Sequence, residues 1–217
     1  MITKYKFTDE TKVVNGHILH RIQALKKIGD VKKGDLGGWI EKEENLSQEG
    51  KCWVYDDAKV YENARVYGDA KIYDKAKIFE NALLMDKARV YGNSRIFGNA
   101  EVYGNSEILN DACVFDNARI YDNALIYDNA HIFGDAKVFG VAEIIDNAEV
   151  SNIQDYIVFK NSWSSGRYFT WTRSNNMWRV GCFYGTGKEL IEKAYNDSEE
   201  SGRKYEKCVN FAEDLNK

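Results

Sequence analysis

The sequence contains no proline in 217 residues, whereas about 5% would be usual. Every tight turn must therefore use glycine, asparagine or aspartate, which tolerate a left-handed backbone. Histidine is also scarce, with three residues, which limits acid–base catalysis. No apolar run approaches the roughly 20 residues that cross a bilayer, and no signal peptide is recognisable. We therefore expect a soluble, cytoplasmic protein with no membrane partner.

Cysteine and positive charge are limited too. The four cysteines, Cys52, Cys113, Cys182 and Cys208, form no Cys-x-x-Cys pair, so neither a zinc module nor a disulfide framework is predicted. The formal charge is −4 and the pI is about 5.5, which argues against a DNA or RNA duplex as partner. We expect no metal and no cofactor.

What the chain does contain is a repeat. From Cys52 to Ile153 it divides into 17 consecutive blocks of six without insertion, such as Ala58–Asn63. The first position is alanine or serine in every block but one, the third is always valine, isoleucine or leucine, and the fourth is mostly aromatic. Positions one and three share a strand face and should point inward, while Gly, Asn and Asp close each block with a corner. Such short strands must stack to bury their apolar side.

The spacing of an aliphatic residue and a small one four positions later, as in Val60 to Ala64 and Ile126 to Ala130, resembles the hexapeptide-repeat, left-handed parallel β-helix family. The resemblance implies a three-sided prism with an 18-residue coil, a left hand and, commonly, a homotrimer. In many members it also implies acyl transfer.

Large side chains at the outward fourth position fall into three stripes in steps of 18. These stripes are Tyr55, Tyr73, Tyr91, Leu109, Tyr127 and Ile145; Tyr61, Phe79, Phe97, Phe115 and Phe133; and Tyr67, Met85, Tyr103, Tyr121 and Phe139. Two interpretations stay open: rings stack within each face, or one stripe is buried between subunits of a trimer.

The fold class is therefore mainly β, a left-handed parallel β-helix over 52–153 between two caps. Residues 1–51 form an N-terminal β-hairpin cap with Asn15-Gly16 at the turn. Residues 154–217 form a small α+β domain with strands at Asp155–Phe159, Arg167–Thr172 and Trp178–Phe183. A capping box at Thr186–Glu189 begins the first of two helices.

The caps carry a second resemblance. The runs Gly34–Gly38, Trp53–Ala58 and Gly181–Thr186 are similar to hexapeptide-repeat proteins of phages and prophages, of the transferase-like or polymer-forming cytoskeletal type. This resemblance implies the fold and a phage association, and it implies no established activity.

Acyl transfer would need a histidine as general base. His17 and His20 lie in the hairpin cap, whereas His131 is an outward residue of the repeat. His131 is therefore the catalytic candidate if the protein is an acyltransferase.

A ligand site is predicted instead in the C-terminal domain, where rings alternate with cations that could stack on a nucleobase and bind its phosphate. The candidates are Arg167, Trp171, Arg173, Trp178, Arg179 and Lys188. The same tryptophans could simply form the core of the domain.

The favoured hypothesis is a non-enzymatic, phage-associated, oligomeric protein. It would capture a nucleotide-like immune signal or a defence protein of the host. The alternatives are a structural scaffold and a hexapeptide-repeat acyltransferase.

Overall fold

The computed structural model describes residues 3–215, and nearly half of them form a three-sided parallel β-solenoid. Its seventeen strands, β4–β20, each contain two residues and lie six residues apart, one in each predicted block. Their bounds are Trp53–Val54, Lys59–Val60, Arg65–Val66, Lys71–Ile72, Lys77–Ile78, Leu83–Leu84, Arg89–Val90, Arg95–Ile96, Glu101–Val102, Glu107–Ile108, Cys113–Val114, Arg119–Ile120, Leu125–Ile126, His131–Ile132, Lys137–Val138, Glu143–Ile144 and Glu149–Val150. Each regular strand is thus shorter than the four-residue segment that precedes the corner in each block. The hand of the coil stays an expectation from the resemblance.

Strands 18 residues apart pair in parallel and form the three faces. One face has the order β4-β7-β10-β13-β16-β19, and a second has β6-β9-β12-β15-β18. The third, which we call the long face, has the order β5-β8-β11-β14-β17-β20 and is extended beyond β5 by Leu36–Ile40 (β3), His17–Ala24 (β2) and Tyr5–Val14 (β1). Side chains 18 positions apart therefore lie side by side on neighbouring strands.

The interior confirms the predicted inward positions. The alanine and the branched aliphatic residue of the blocks are almost completely inaccessible, as Ala64, Val66 and Ile72 illustrate with no exposed surface. Serine replaces alanine at Ser94 and Ser106, where each hydroxyl donates to the carbonyl oxygen three residues earlier, at 2.7 and 2.8 Å. The core is thus a column of small and branched side chains with its few polar atoms satisfied.

Corners form at the fifth position of every block but the last, where the backbone has positive φ; in the last block Asn152 is extended, with φ −152°. Glycine occupies some corners, including Gly104 at φ 71°, and acidic residues occupy others, including Asp86 at φ 57°. The Asp86 carboxylate accepts a hydrogen bond at 3.1 Å from the amide of Gly104, the corner one coil later. The acidic corners therefore connect successive coils.

The aromatic stripes are stacked columns of rings within the chain, as one of the two interpretations predicts. Ring centroids of Phe79, Phe97 and Phe115 lie 4.9 and 5.0 Å apart, with planes within 8° of parallel. Tyr55 and Tyr73 stack at 4.4 Å on another face. Stacking along the coil axis shields the ring faces from water and reinforces the strand register.

The N-terminal cap continues the long face. Strands β1 (Tyr5–Val14) and β2 (His17–Ala24) form the predicted hairpin, and β3 (Leu36–Ile40) pairs antiparallel with β2 and parallel with β5. A 3₁₀ helix, Glu43–Asn45, leads into the first coil. The cap thus covers the edge that the first coil would otherwise expose.

The C-terminal cap is an antiparallel sheet covered by two helices. After a 3₁₀ helix at Ile153–Asp155, its elements are β21 (Tyr156–Lys160), β22 (Tyr168–Thr172), β23 (Met177–Val180), β24 (Phe183–Thr186), α1 (Gly187–Asp197) and α2 (Glu199–Asp214). The predicted strand Trp178–Phe183 is wrong as a single element. It turns at Gly181, where φ is 58°, and gives β23 and β24. The capping box at Thr186 is confirmed, with its hydroxyl accepting from the Glu189 amide.

Candidate functional site

The tip of the N-terminal hairpin is held down onto the long face by three ionic contacts. The Lys12 ammonium pairs with the Asp57 carboxylate. Both ring nitrogens of His17 contact carboxylates, Nδ1 with Glu41 at 2.8 Å and Nε2 with Glu62 at 3.1 Å. Hydrogen bonding to Glu41 raises the pKa of His17, which favours the charged imidazolium at this position.

An apolar cluster supports the same contact. Leu19, Trp39 and Tyr61 are buried together, and Val14 and Phe79 pack against them from the hairpin and from the ring column. The hairpin tip is therefore fixed by apolar burial as well as by charge.

A groove of about 690 Å³ lies between this hairpin tip and the solenoid. One wall is formed by hairpin residues 13–15. The opposite wall has two columns of side chains from successive coils. The strand column is Lys59, Lys77 and Arg95, and the corner column, at the sixth position of its blocks next to the corners, is Asp57, Lys75, Asn93 and Asp111. We call this cavity the hairpin groove.

Charge is unevenly balanced in the hairpin groove. Lys59 is almost buried, and its ammonium contacts the Asp57 carboxylate at 2.8 Å and the Asp57 carbonyl oxygen at 2.6 Å. Partial burial pushes the pKa of Asp57 upward, but the hydrogen bonds from Lys12 and Lys59 outweigh it and lower the pKa to about 2. Asp57 is therefore fully neutralised by its own lysines.

The remaining groove cations have no such partner. Within residues 3–215, no carboxylate lies within 4 Å of the charged groups of Lys75, Lys77 or Arg95. Arg95 instead donates from Nη2 to the Cys113 sulfur at 3.2 Å. The hairpin groove thus has an excess of positive charge.

The strand column continues beyond the groove to the predicted catalytic residue. Cys113, His131 and Glu149 follow Arg95 on successive strands of the long face. His131 is half-buried and outward, as predicted, and its imidazole ring makes no hydrogen bond or ion pair with the described part of the chain. Cys113 is 3% exposed, and His131 is its neighbour in register. Cys113 and His131 are 18 positions apart in the sequence, which is the length of one coil, so the repeat alone identifies them as neighbours.

The predicted C-terminal site does not exist as a ring-lined surface. Trp171 and Trp178 are 0% and 1% exposed and pack with Phe169, Leu190 and Tyr205 in the core of the cap. The stacking role predicted for the two tryptophans is therefore wrong, and the alternative reading as core holds. The physical reason is that the helices cover the face of the sheet from which these rings project.

The cations predicted for that site point to different places. Arg179 pairs with Glu143 of the solenoid at 3.0 Å, and Arg173 donates to the Leu215 carbonyl oxygen at 3.3 Å. Arg167 is exposed, and Lys188 lies 3.9 Å from Glu192 on its own helix. Arg179 therefore joins the cap to the solenoid, and the four cations do not converge on one ligand.

A second groove, of about 610 Å³, lies where the solenoid meets the C-terminal cap. Its lining is mostly apolar and includes Phe139, Val141, Ile153, Tyr156 and Tyr168. Ile153 and Tyr168 are 53% and 47% exposed. This junction groove differs from the hairpin groove in having no excess of cations in its lining.

Across residues 3–215, no group of three or more histidine, cysteine, aspartate or glutamate side chains is arranged to hold a metal ion. In the same residues, neither helix has the length and apolar character needed to cross a bilayer.

The fold and the grooves together define a three-sided parallel β-solenoid with a capped N-terminal end and a cationic groove under its hairpin. A family model described as YdcK β-solenoid repeat matches residues 118–134. Over 65 residues the chain is 34% identical to the uncharacterized acetyltransferase YdcK of Escherichia coli strain K12. The aligned segment covers 26% of this chain and 20% of that relative. The family-model match therefore lies in the solenoid repeat, and the aligned segment spans a fifth of the relative's length.

Proposed function

We propose that this protein is a binding protein that captures a small molecule in the hairpin groove, using the solenoid as a rigid support. The observation that carries the proposal is the groove itself. A volume of about 690 Å³ falls within the range of small-molecule sites. One of its walls is a hairpin held by Lys12, His17 and an apolar cluster.

The environments of His17 and His20 favour binding over catalysis. His17 faces a carboxylate on each ring nitrogen, so it is held as a charged structural contact. His20 stacks on Phe7 with centroids 4.9 Å apart. A general base needs a ring nitrogen that can reach a substrate proton, and both of these rings are already engaged.

The test measures thermal unfolding against a panel of anionic, neutral and cationic metabolites. A ligand at about 100 times its Kd should add about 2.7 kcal/mol and raise the Tm by about 5–10 °C. Asn93→Trp fills the hairpin groove and should abolish the shift. Asn105→Trp, a matched change of another exposed corner asparagine, should preserve it. A shift that survives Asn93→Trp would contradict the proposal.

Acetyl transfer is the second candidate function, because the relative named above is called an acetyltransferase and the matched repeat contains His131. Glu149 is the register partner of His131 on the next strand. The test is turnover of acetyl-coenzyme A with a panel of amines and alcohols. Loss of turnover in His131→Ala, with turnover retained in His20→Ala, would support this function against simple capture.

Homotrimer formation, a phage association and a host target stay predictions of this proposal. The half-buried rings of the stacked columns leave apolar edges on each face, which supports contact between copies. Light scattering after size-exclusion chromatography distinguishes a trimer from a monomer. A monomer would confine the ligand site to one chain, as the hairpin groove already allows.

A further inference from the structure

We infer that the ligand of the hairpin groove carries at least two phosphate groups, held along Lys75, Lys77 and Arg95, as in a nucleoside diphosphate. This inference rests on the proposed function and names its ligand class. No predicted site residue lies in this groove.

The charge balance of the groove is the first argument. Four cations and two carboxylates line it, but Lys12 and Lys59 neutralise Asp57. Asp111 accepts a hydrogen bond from the Asn93 side chain at 3.0 Å. The three positive charges of Lys75, Lys77 and Arg95 therefore exceed the single negative charge of Asp111. Because the whole chain has a formal charge of −4, this local excess does not reflect general basicity.

The spacing of the cations is the second argument. Lys77 and Arg95 are direct partners on the parallel strands β8 and β11, which places their backbones about 4.8 Å apart. Lys75 precedes Lys77 by two residues and lines the groove from the corner. Adjacent phosphates of one ligand can thus each meet a cation, whereas a single carboxylate would use only part of the column.

The donor chemistry of Arg95 is the third argument. A guanidinium has five N–H donors in a fork that matches phosphate oxygens. In the structure Arg95 contacts the Cys113 sulfur, and a thiol is only a weak acceptor. A phosphate oxygen would be a far better acceptor for the same fork.

The remaining volume accommodates more than phosphate. Val13 and Val14 form the apolar part of the hairpin wall, and Val13 is 71% exposed. A base or sugar attached to the phosphates could cover this valine while the phosphates occupy the cationic column. A phosphorylated metabolite therefore fits the two walls better than an inorganic anion does.

The experiment is calorimetric titration with ADP, pyrophosphate, adenosine and citrate. We expect ADP to bind most tightly, pyrophosphate more weakly, and adenosine and citrate weakest. Lys77→Gln and Lys77→Glu should each weaken ADP binding at least tenfold, equivalent to about 1.4 kcal/mol. Lys137→Glu reverses an exposed cation on another face and should leave the affinity unchanged. Raising NaCl from about 50 to about 200 mM should weaken binding, because salt screens exposed charge.

Failures of the two proposals look different. If a neutral, cationic or carboxylate ligand binds in a manner abolished by Asn93→Trp, and neither ADP nor pyrophosphate binds, the phosphate inference is overturned and the proposed function stands. If no ligand of any charge binds, both are overturned. ADP affinity that is equal in the wild type, Lys77→Gln and Lys77→Glu also overturns the inference, because each variant removes a central cation.

Discussion

Replacing Asp57 with asparagine tests how the hairpin is held to the solenoid. Asp57 receives ammonium groups from Lys12 on the hairpin and Lys59 on the long face. Asp57→Asn keeps the shape of the side chain and removes its charge. We expect the variant to fold with lower stability and a looser hairpin.

The magnitude follows from the two lysines. The pKa of Asp57 falls from 3.8 to about 2, which at about 1.4 kcal/mol per pKa unit corresponds to about 2.5 kcal/mol. Because the side chain is 42% exposed, screening reduces this to about 1 kcal/mol. The Lys59 side chain is 8% exposed, and leaving its ammonium with only a carbonyl oxygen adds about 1–2 kcal/mol. The expected total is about 2–3 kcal/mol.

Thermal and urea unfolding at pH 7 measure this loss. The Tm should fall by about 5–10 °C. Asp111→Asn is the matched control, since Asp111 belongs to the same corner column and its carboxylate accepts, among residues 3–215, only from the Asn93 amide. It should cost less than about 0.5 kcal/mol. A folded-state pKa below 3.8 means that the carboxylate stabilises the fold above that pH and loses its effect as the pH falls through about 2. Equal midpoints for the two variants at pH 7 would refute the reasoning.

Three further outcomes are expected. Gly104→Ala should cost about 2–3 kcal/mol and Gly140→Ala about 1, measured by urea unfolding. Both glycines have φ near +70°, so both substitutions strain the backbone. A Cβ at Gly104 would also lie 2.8 Å from the backbone of the next coil, whereas a Cβ at Gly140 would meet nothing within 4 Å. Equal losses of unfolding free energy in the two variants would contradict this reasoning. Phe97→Ala should cost about 2 kcal/mol and Phe97→Leu less than 1.5, because Phe97 stacks on rings at 4.9 and 5.0 Å. Hydrogen bonding to Glu41 raises the pKa of His17, so the hairpin contact is complete below about pH 6.5 and weakens as the pH rises through the raised value. Amide exchange of the hairpin, corrected for intrinsic rates, should show this pH dependence in the wild type and lose it in His17→Gln.

The solenoid was predictable because each block repeats the same local chemistry. Alanine and valine at positions such as Ala64 and Val66 fix the inward face, and aspartate or glycine at the fifth position fixes the corner. The ring columns followed from the 18-residue step. These features depend on neighbours in sequence or on a constant spacing, so a single sequence contains them.

The site was not predictable in the same way. Trp171 and Trp178 are residues typical of a ligand surface, but the same residue types form a domain core when helices cover them. The hairpin groove depends on where the segment around Val14 comes to lie, which is a tertiary contact. The cationic column of Lys59, Lys77 and Arg95 was visible in the 18-residue step, but without the hairpin it was an ordinary solvated stripe.

A crystal structure grown with ADP tests the central claim most directly. The account predicts density for the phosphates beside Lys77 and Arg95, with the nucleoside under Val13. Phosphate density at the apolar junction groove or at the C-terminal cap, with the hairpin groove empty, would contradict it.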